Sequence, residues 1–218
     1  MYSLNNDSDL PAIKVLLANH PVALLGDKVD IILDNIKKYT PQTVLEIGTF
    51  AGGASHIIAS TFPNTPVYTV DINSDYTQFS HDPDFLRMLD NVRSWCPEIE
   101  IDPSSIVKIR NLYDSMNKNL TLLLGDVTTH SRILTNIDFA IVDGGHMDYE
   151  LKSDLTFCFK QAGVKVAIVD DCVHTDIANV CKKFAEENNL SIEFTHYRDY
   201  GSQKGYDLAI ISLKLAEH

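Results

Sequence analysis

Residues 43–71, TVLEIGTFAGGASHIIASTFPNTPVYTVD, decide how this chain folds. Thr43 to Ile47 is apolar and rich in β-formers, so it reads as a strand. The turn Gly48 to Gly53 follows, then a helix through Ile57 and Ile58, a breaker cluster at Pro63 to Pro66, and a second strand, VYTV, ending at Asp71. Strand, helix and strand in that order make one βαβ unit, whose two strands lie parallel.

Upstream, Val29, Ile32, Leu33 and Ile36 repeat at helical spacing before Pro41, which predicts a helix of roughly three turns leading into the first strand. Downstream, residues 72–119 exceed a usual crossover. Asp82-Pro83 and Asp102-Pro103 each read as an N-cap with proline in the first turn, so two helices fill this stretch. Phe85, Met88, Leu89 and Val92 are expected on the packed face of one, and Ile106, Ile109 and Tyr113 on that of the other. Strand signals recur at 120–124, 137–142 and 164–169, with helical stretches near 149–161 and 176–188. This alternation means a parallel sheet covered on both faces. Two last β-rich runs, Ile192 to Thr195 and Leu208 to Leu213, have no helix between them and predict an antiparallel hairpin at the end of the sheet.

With 218 residues and 44% hydrophobic content, the chain fills one core, so we expect a single domain over 1–218 with a helical extension at 1–40 and a helical insertion at 72–119. A net charge of −12 without a compensating basic cluster disfavours nucleic acid and anionic membranes as partners. The start, MYSLNNDSDL, has neither the basic flank nor the apolar core of a signal peptide, and no apolar run approaches the ~20 residues of a membrane span. Cys96, Cys158, Cys172 and Cys181 form no CxxC pair, and reduced thiols are the simple expectation. A cytoplasmic protein with a small-molecule partner follows, and a homodimer is compatible with it.

In open α/β sheets, ligands sit beyond the carboxyl ends of the strands. Those positions here hold Glu46, Asp71, Asp126, Asp143, Asp170 and Asp171. Glycines in the first turn let backbone turn sharply and approach a ligand, yet the spacing is not the GxGxxG that seats a pyrophosphate. A nicotinamide dehydrogenase is therefore disfavoured. Asp71, at the end of the second strand, suits the two hydroxyls of a ribose. Taken singly, the glycine turn is equally well structural and each Asp equally well a helix cap. In order along one sheet edge, they point to a nucleoside-like ligand.

The motifs VLEIGTFAGGAS, VYTVDIN, LLLGDV and FAIVDGGHMDYE resemble the successive motifs of class I S-adenosylmethionine-dependent methyltransferases, over about residues 40–213. The resemblance implies a Rossmann-like three-layer α/β sandwich with a mostly parallel seven-stranded sheet. It implies that Glu46 and the turn Gly48, Thr49, Phe50, Gly52 and Gly53 hold the amino-acid part of S-adenosylmethionine, that Asp71 with Ile72 binds its ribose, that Asp126 faces the adenine amino group with Val127 beside the ring, and that Asp143 lies near the methyl group. DGGH-x-x-Y, followed by a strand ending VDD, is similar to small O-methyltransferase-like domains, some acting on sugar hydroxyls.

Asp143, Asp170 and Asp171 would converge beside the methyl group, where three carboxylates repel unless one is protonated or a cation joins them. Oxygen-only ligands favour Mg²⁺, Mn²⁺ or Ca²⁺, and the resembled catechol, caffeoyl and sugar enzymes carry a divalent ion at these strand ends. The catechol and caffeoyl enzymes have Asp-Asn where Asp170-Asp171 stands. The sugar-directed relatives resemble this chain with Asp-Asp. The alternative is that Asp170 or Asp171 caps the helix near Asp176 or is solvated. His146, or else Asp143, is the candidate general base, and His146 equally well fixes its loop. His174 is a weaker candidate, and Cys172 has no visible partner for nucleophilic chemistry. Tyr76, Phe79, Phe85 and Trp95 would line an acceptor pocket, although Phe85 has the spacing of a packing residue. Methyl transfer to a hydroxyl of a small molecule, assisted by a divalent metal, is the expected function. N-methylation, hydroxylase-like chemistry on the same cofactor, and a non-catalytic nucleoside-binding subunit are the alternatives.

Overall fold

The computed structural model of the protein describes residues 1–19, 27–144, 147–172, 174–197 and 206–214. In chain order its elements are β1 (Tyr2–Ser3), α1 (Leu10–Asn19), α2 (Asp27–Tyr39), β2 (Val44–Ile47), α3 (Gly53–Thr61), β3 (Val67–Asp71), α4 (Pro83–Trp95), β4 (Ile99–Glu100) and α5 (Pro103–Met116). Then come β5 (Leu120–Leu124), β6 (Phe139–Val142), α6 (Asp148–Thr156), β7 (Val166–Val169), α7 (Thr175–Glu187), β8 (Leu190–Tyr197) and β9 (Tyr206–Leu213). Helix α6 continues as a wider π turn over Phe157–Ala162.

Seven strands form one sheet in the order β5-β3-β2-β6-β7-β9-β8. The first five run parallel, and β9 and β8 are antiparallel, as the missing crossover helix requires. Side chains alternate across each strand, so each strand feeds two cores. Leu45, Ile47, Ala140, Val142, Ala167 and Val169 pack with Leu151, Leu155 and Phe184 of α6 and α7. Val44, Phe139, Ile141, Val166 and Ile168 pack with Ile32, Ile36 and Ile58 of α2 and α3 on the other face.

A third cluster joins the chain's beginning to its long crossover: Leu4, Ile13 and Leu17 pack with Phe85, Leu89, Val92, Ile106, Ile109 and Tyr113. The strands β1 and β4 pair here in parallel, Tyr2 against Ile99. Two-residue strands have no periodicity to read, and none was expected. Both expected N-caps are present: Asp82 accepts from the amides of Asp84 and Phe85, and Asp102 forms a capping box with Ser105. Met88 departs from the expectation. It is exposed while Phe85, Leu89 and Val92 are buried, because those three define a narrow stripe and position 88 falls on its flank.

Candidate functional site

Register levels the strand ends. Ile47 lies beside Val70 and Val142, and Val142 beside Val169. The residues that follow, Gly48, Asp71, Asp143 and Asp170, therefore emerge on one edge of the sheet. Strand order reverses between β2 and β6, the kind of switch point beside which ligands sit in open α/β sheets. Gly48 has φ +96°, and a Cβ on it would lie 2.2 Å from the carbonyl oxygen of Asp143. This glycine thus lets the exits of β2 and β6 touch. Gly52, at φ +82°, precedes α3, and a Cβ there would stand 3.4 Å from Cγ of Arg110. Both glycines, expected beside a ligand, also serve close packing within the chain, tightly at Gly48 and at ordinary contact distance at Gly52.

On the β2–β3 side, Glu46 is buried. The Thr69 hydroxyl donates to its Oε2 at 2.5 Å, and the Thr49 and Thr69 hydroxyls are 2.5 Å apart. Burial, opposed by the Thr69 hydroxyl and reinforced by the charge of Asp143, pushes the Glu46 carboxyl up to about 8. Asp71 is only 4% exposed. Its Oδ2 accepts from the Phe50 amide at 2.8 Å and the Tyr76 hydroxyl at 2.7 Å and pairs with Nη1 of Arg110 at 3.3 Å, while Oδ1 accepts from the Asn73 amide at 2.7 Å. Burial, with the Asp71 charge beside it, pushes the Tyr76 phenol far up, so it stays a donor. Arg110 also donates to the Asn73 carbonyl, and its buried Nε and Nη2 have no partner among the described residues.

Arg110 and Tyr76 enter this side without having been foreseen as such. An arginine on the apolar face Ile106, Ile109, Tyr113, four residues after Ile106, is the signal that would have found the first. Tyr76, expected in an acceptor pocket, is buried with Phe50, Phe79 and Phe85 in an aromatic cluster and turns its hydroxyl to Asp71. The side chain of Trp95 lies outside the described residues. Gly53 begins α3 and is buried. Ile72 is 70% exposed beyond β3.

Beyond β5, Asp126 is exposed and caps a short 3₁₀ turn, accepting from the Thr128 amide at 2.8 Å, and Val127 behind it is buried. Asp154 of α6 lies near enough that burial, then the charges of Asp126 and Glu150, push its carboxyl up to about 7.

On the β6–β7 side, one oxygen from each of Asp143, Asp170 and Asp171 lies within 4.8 Å of the others. These carboxylates edge a small cleft with Val142, Leu151, Val169 and Ile177. Asp171 takes φ +57°. The helix that follows, α7, has His174 at its N-cap position, so neither Asp is the cap residue. Oδ1 of Asp170 is buried without a partner among the described residues. Three hard oxygen donors with one such atom fit a divalent cation. An unforeseen residue shares them: Lys28, buried in the first turn of α2, forms an ion pair with Oδ2 of Asp170 and stands 3.8 Å from Oδ2 of Asp143. Cys172 is buried, its thiol 3.6 Å from the Val169 carbonyl. His146 lies outside the described residues. Among the described residues no helix is long and apolar enough to cross a membrane.

No protein-family model and no curated protein sequence matches the chain. Solved structures do. An O-methyltransferase from Bacillus cereus in complex with SAH is similar at TM-score 0.59 and 16% identity, over 96% of this chain and 92% of that one. The O-methyltransferase TomG from Streptomyces achromogenes, involved in tomaymycin synthesis and solved with SAM, gives 0.55 and 15%, over 95% and 90%. A precorrin-6y C5,15-methyltransferase from Geobacter metallireducens gives 0.56 and 14%, over 89% and 92%. Identities this low speak to the fold alone. With its five parallel strands, its switch point between β2 and β6 and its reversed terminal hairpin, the chain has the Rossmann-like fold of these methyltransferases.

Proposed function

We propose that this chain is a cytoplasmic S-adenosylmethionine-dependent methyltransferase that acts on a hydroxyl of a small molecule with the help of a divalent cation. One observation carries the proposal: two separate acidic groups, Glu46 with Asp71 and Asp143 with Asp170 and Asp171, lie on either side of the β2–β6 switch point along the carboxyl edge of the sheet. The first group suits a cationic nucleoside. Its donors and acceptors are carboxylates, hydroxyls and backbone amides, and the nearby cation Arg110 is paired to Asp71, so among the described residues no basic cradle awaits a phosphate.

Glu46 and the turn Gly48, Thr49, Phe50, Gly52 and Gly53 would hold the amino-acid part, Asp71 and Ile72 the ribose, and Asp126 and Val127 the adenine. Bound there, S-adenosylmethionine would supply a sulfonium methyl group for transfer to the acceptor oxygen, with S-adenosylhomocysteine as the leaving group. The acceptor hydroxyl must lose its proton, and Asp143 at the end of β6, or His146 three residues on, is placed in the sequence to take it. Asp143, Asp170 and Asp171 would hold the divalent cation, which would orient and acidify the hydroxyl.

Calorimetric titration with S-adenosylmethionine and S-adenosylhomocysteine tests this. Both are expected to bind, and Asp126→Ala, an exposed change beside the adenine position, is expected to weaken binding about tenfold by removing a charged acceptor. Absence of binding to either nucleoside by the unaltered protein would remove the activity and leave only the fold.

A further inference from the structure

The carboxylate site already contains a cation of the chain's own. Lys28 is 6% exposed, and Asp170, its ion-pair partner, 4%. The lysine comes from α2, far in sequence from the strand ends that carry the acids, and its ammonium reaches both Asp170 and Asp143 just beyond the ends of β6 and β7. A buried ammonium needs a carboxylate partner, and a buried carboxylate such as Asp170 needs a positive charge. Each therefore accounts for the other without any bound ion. The unpartnered Oδ1 of Asp170 nevertheless shows that the lysine satisfies only part of the site.

We propose that Lys28 and a divalent cation are alternative occupants of the Asp143–Asp170 pair. This rests on the reading of Asp143, Asp170 and Asp171 as a metal site. Two cations sharing the same oxygens repel at contact distance, and little water reaches this position to screen them. The ion enters as the ammonium leaves. Because the stem of Lys28 is buried along α2, leaving means moving a packed side chain, which lowers apparent ion affinity by the free energy of the lysine-bound form. Lys28 is thus a positioning residue: it keeps the carboxylates gathered when no metal is bound, and it sets the metal concentration at which the site switches.

Manganese binding to the full chain, read from the loss of the free-ion electron paramagnetic resonance signal, tests the idea with no turnover required. Lys28→Met keeps most of the apolar stem and removes the charge, and it is expected to bind Mn²⁺ about tenfold more tightly than the parent. Lys28→Arg, which restores a cation, is expected to lose that gain. In thermal unfolding without metal, Lys28→Met is expected to melt below the parent and to recover when Mn²⁺ is added, which separates lost charge compensation from general misfolding. Equal or weaker Mn²⁺ binding by Lys28→Met overturns the proposal while leaving the metal site standing. Absence of binding by both proteins, with S-adenosylhomocysteine still bound, removes the metal site and this proposal together but spares the cofactor reading.

Discussion

Gly48 stands where the exits of two neighbouring strands meet, with φ +96° and the Asp143 carbonyl in the place of a Cβ. Gly48→Ala must adopt a strained backbone and push apart β2 and β6, for an expected loss of about 3 kcal/mol or more in urea unfolding. An unchanged midpoint would mean that the two exits move apart freely. Glu46 makes a different demand. Its carboxyl is raised from 4.5 to about 8 in the fold, so the folded chain holds this proton more firmly than the unfolded one. Between those two values the folded state binds more protons, and stability falls as pH rises, by at most about 1.4 kcal/mol per pH unit from this group. Glu46→Gln is expected to flatten that decline, so that the variant unfolds at higher urea than the parent at pH 8 and near the same urea at pH 4.5. Parallel pH profiles for the two proteins would rule out a buried, proton-holding Glu46.

At the scale of elements, α5 links the third apolar cluster to the site, since Ile106, Ile109 and Tyr113 pack inward while Arg110 meets Asp71. Its start depends on Asp102, which accepts from the Ser105 amide at 2.8 Å while the Ser105 hydroxyl accepts from the Asp102 amide. Asp102→Ala is expected to cost about 1 kcal/mol, seen as a lowered thermal midpoint. No shift would mean that Pro103 and the apolar face hold the first turn by themselves. Caps of this kind were readable because every group involved lies within a few residues. The pairing of β1 with β4 was not, since it joins Tyr2 to Ile99 through strands too short to show a period.

For the whole molecule, the same division separates what is local from what is brought from afar. The sequence by itself determined the order of strands and helices, the terminal hairpin and the acids at the strand ends, because periodicity, turn residues and caps act over one or two turns and a parallel sheet aligns all its carboxyl ends on one edge. It did not reveal that Gly48 serves the Asp143 carbonyl, that Arg110 and Tyr76 hold Asp71, or that Lys28 pairs with Asp170. Those choices belong to the tertiary structure. Whether a carboxylate faces solvent, a ligand or a lysine depends on side chains that only packing brings within a few ångströms, and apart from Arg110 on its apolar helix face neither charge pairing nor close backbone approach leaves a trace in residue spacing.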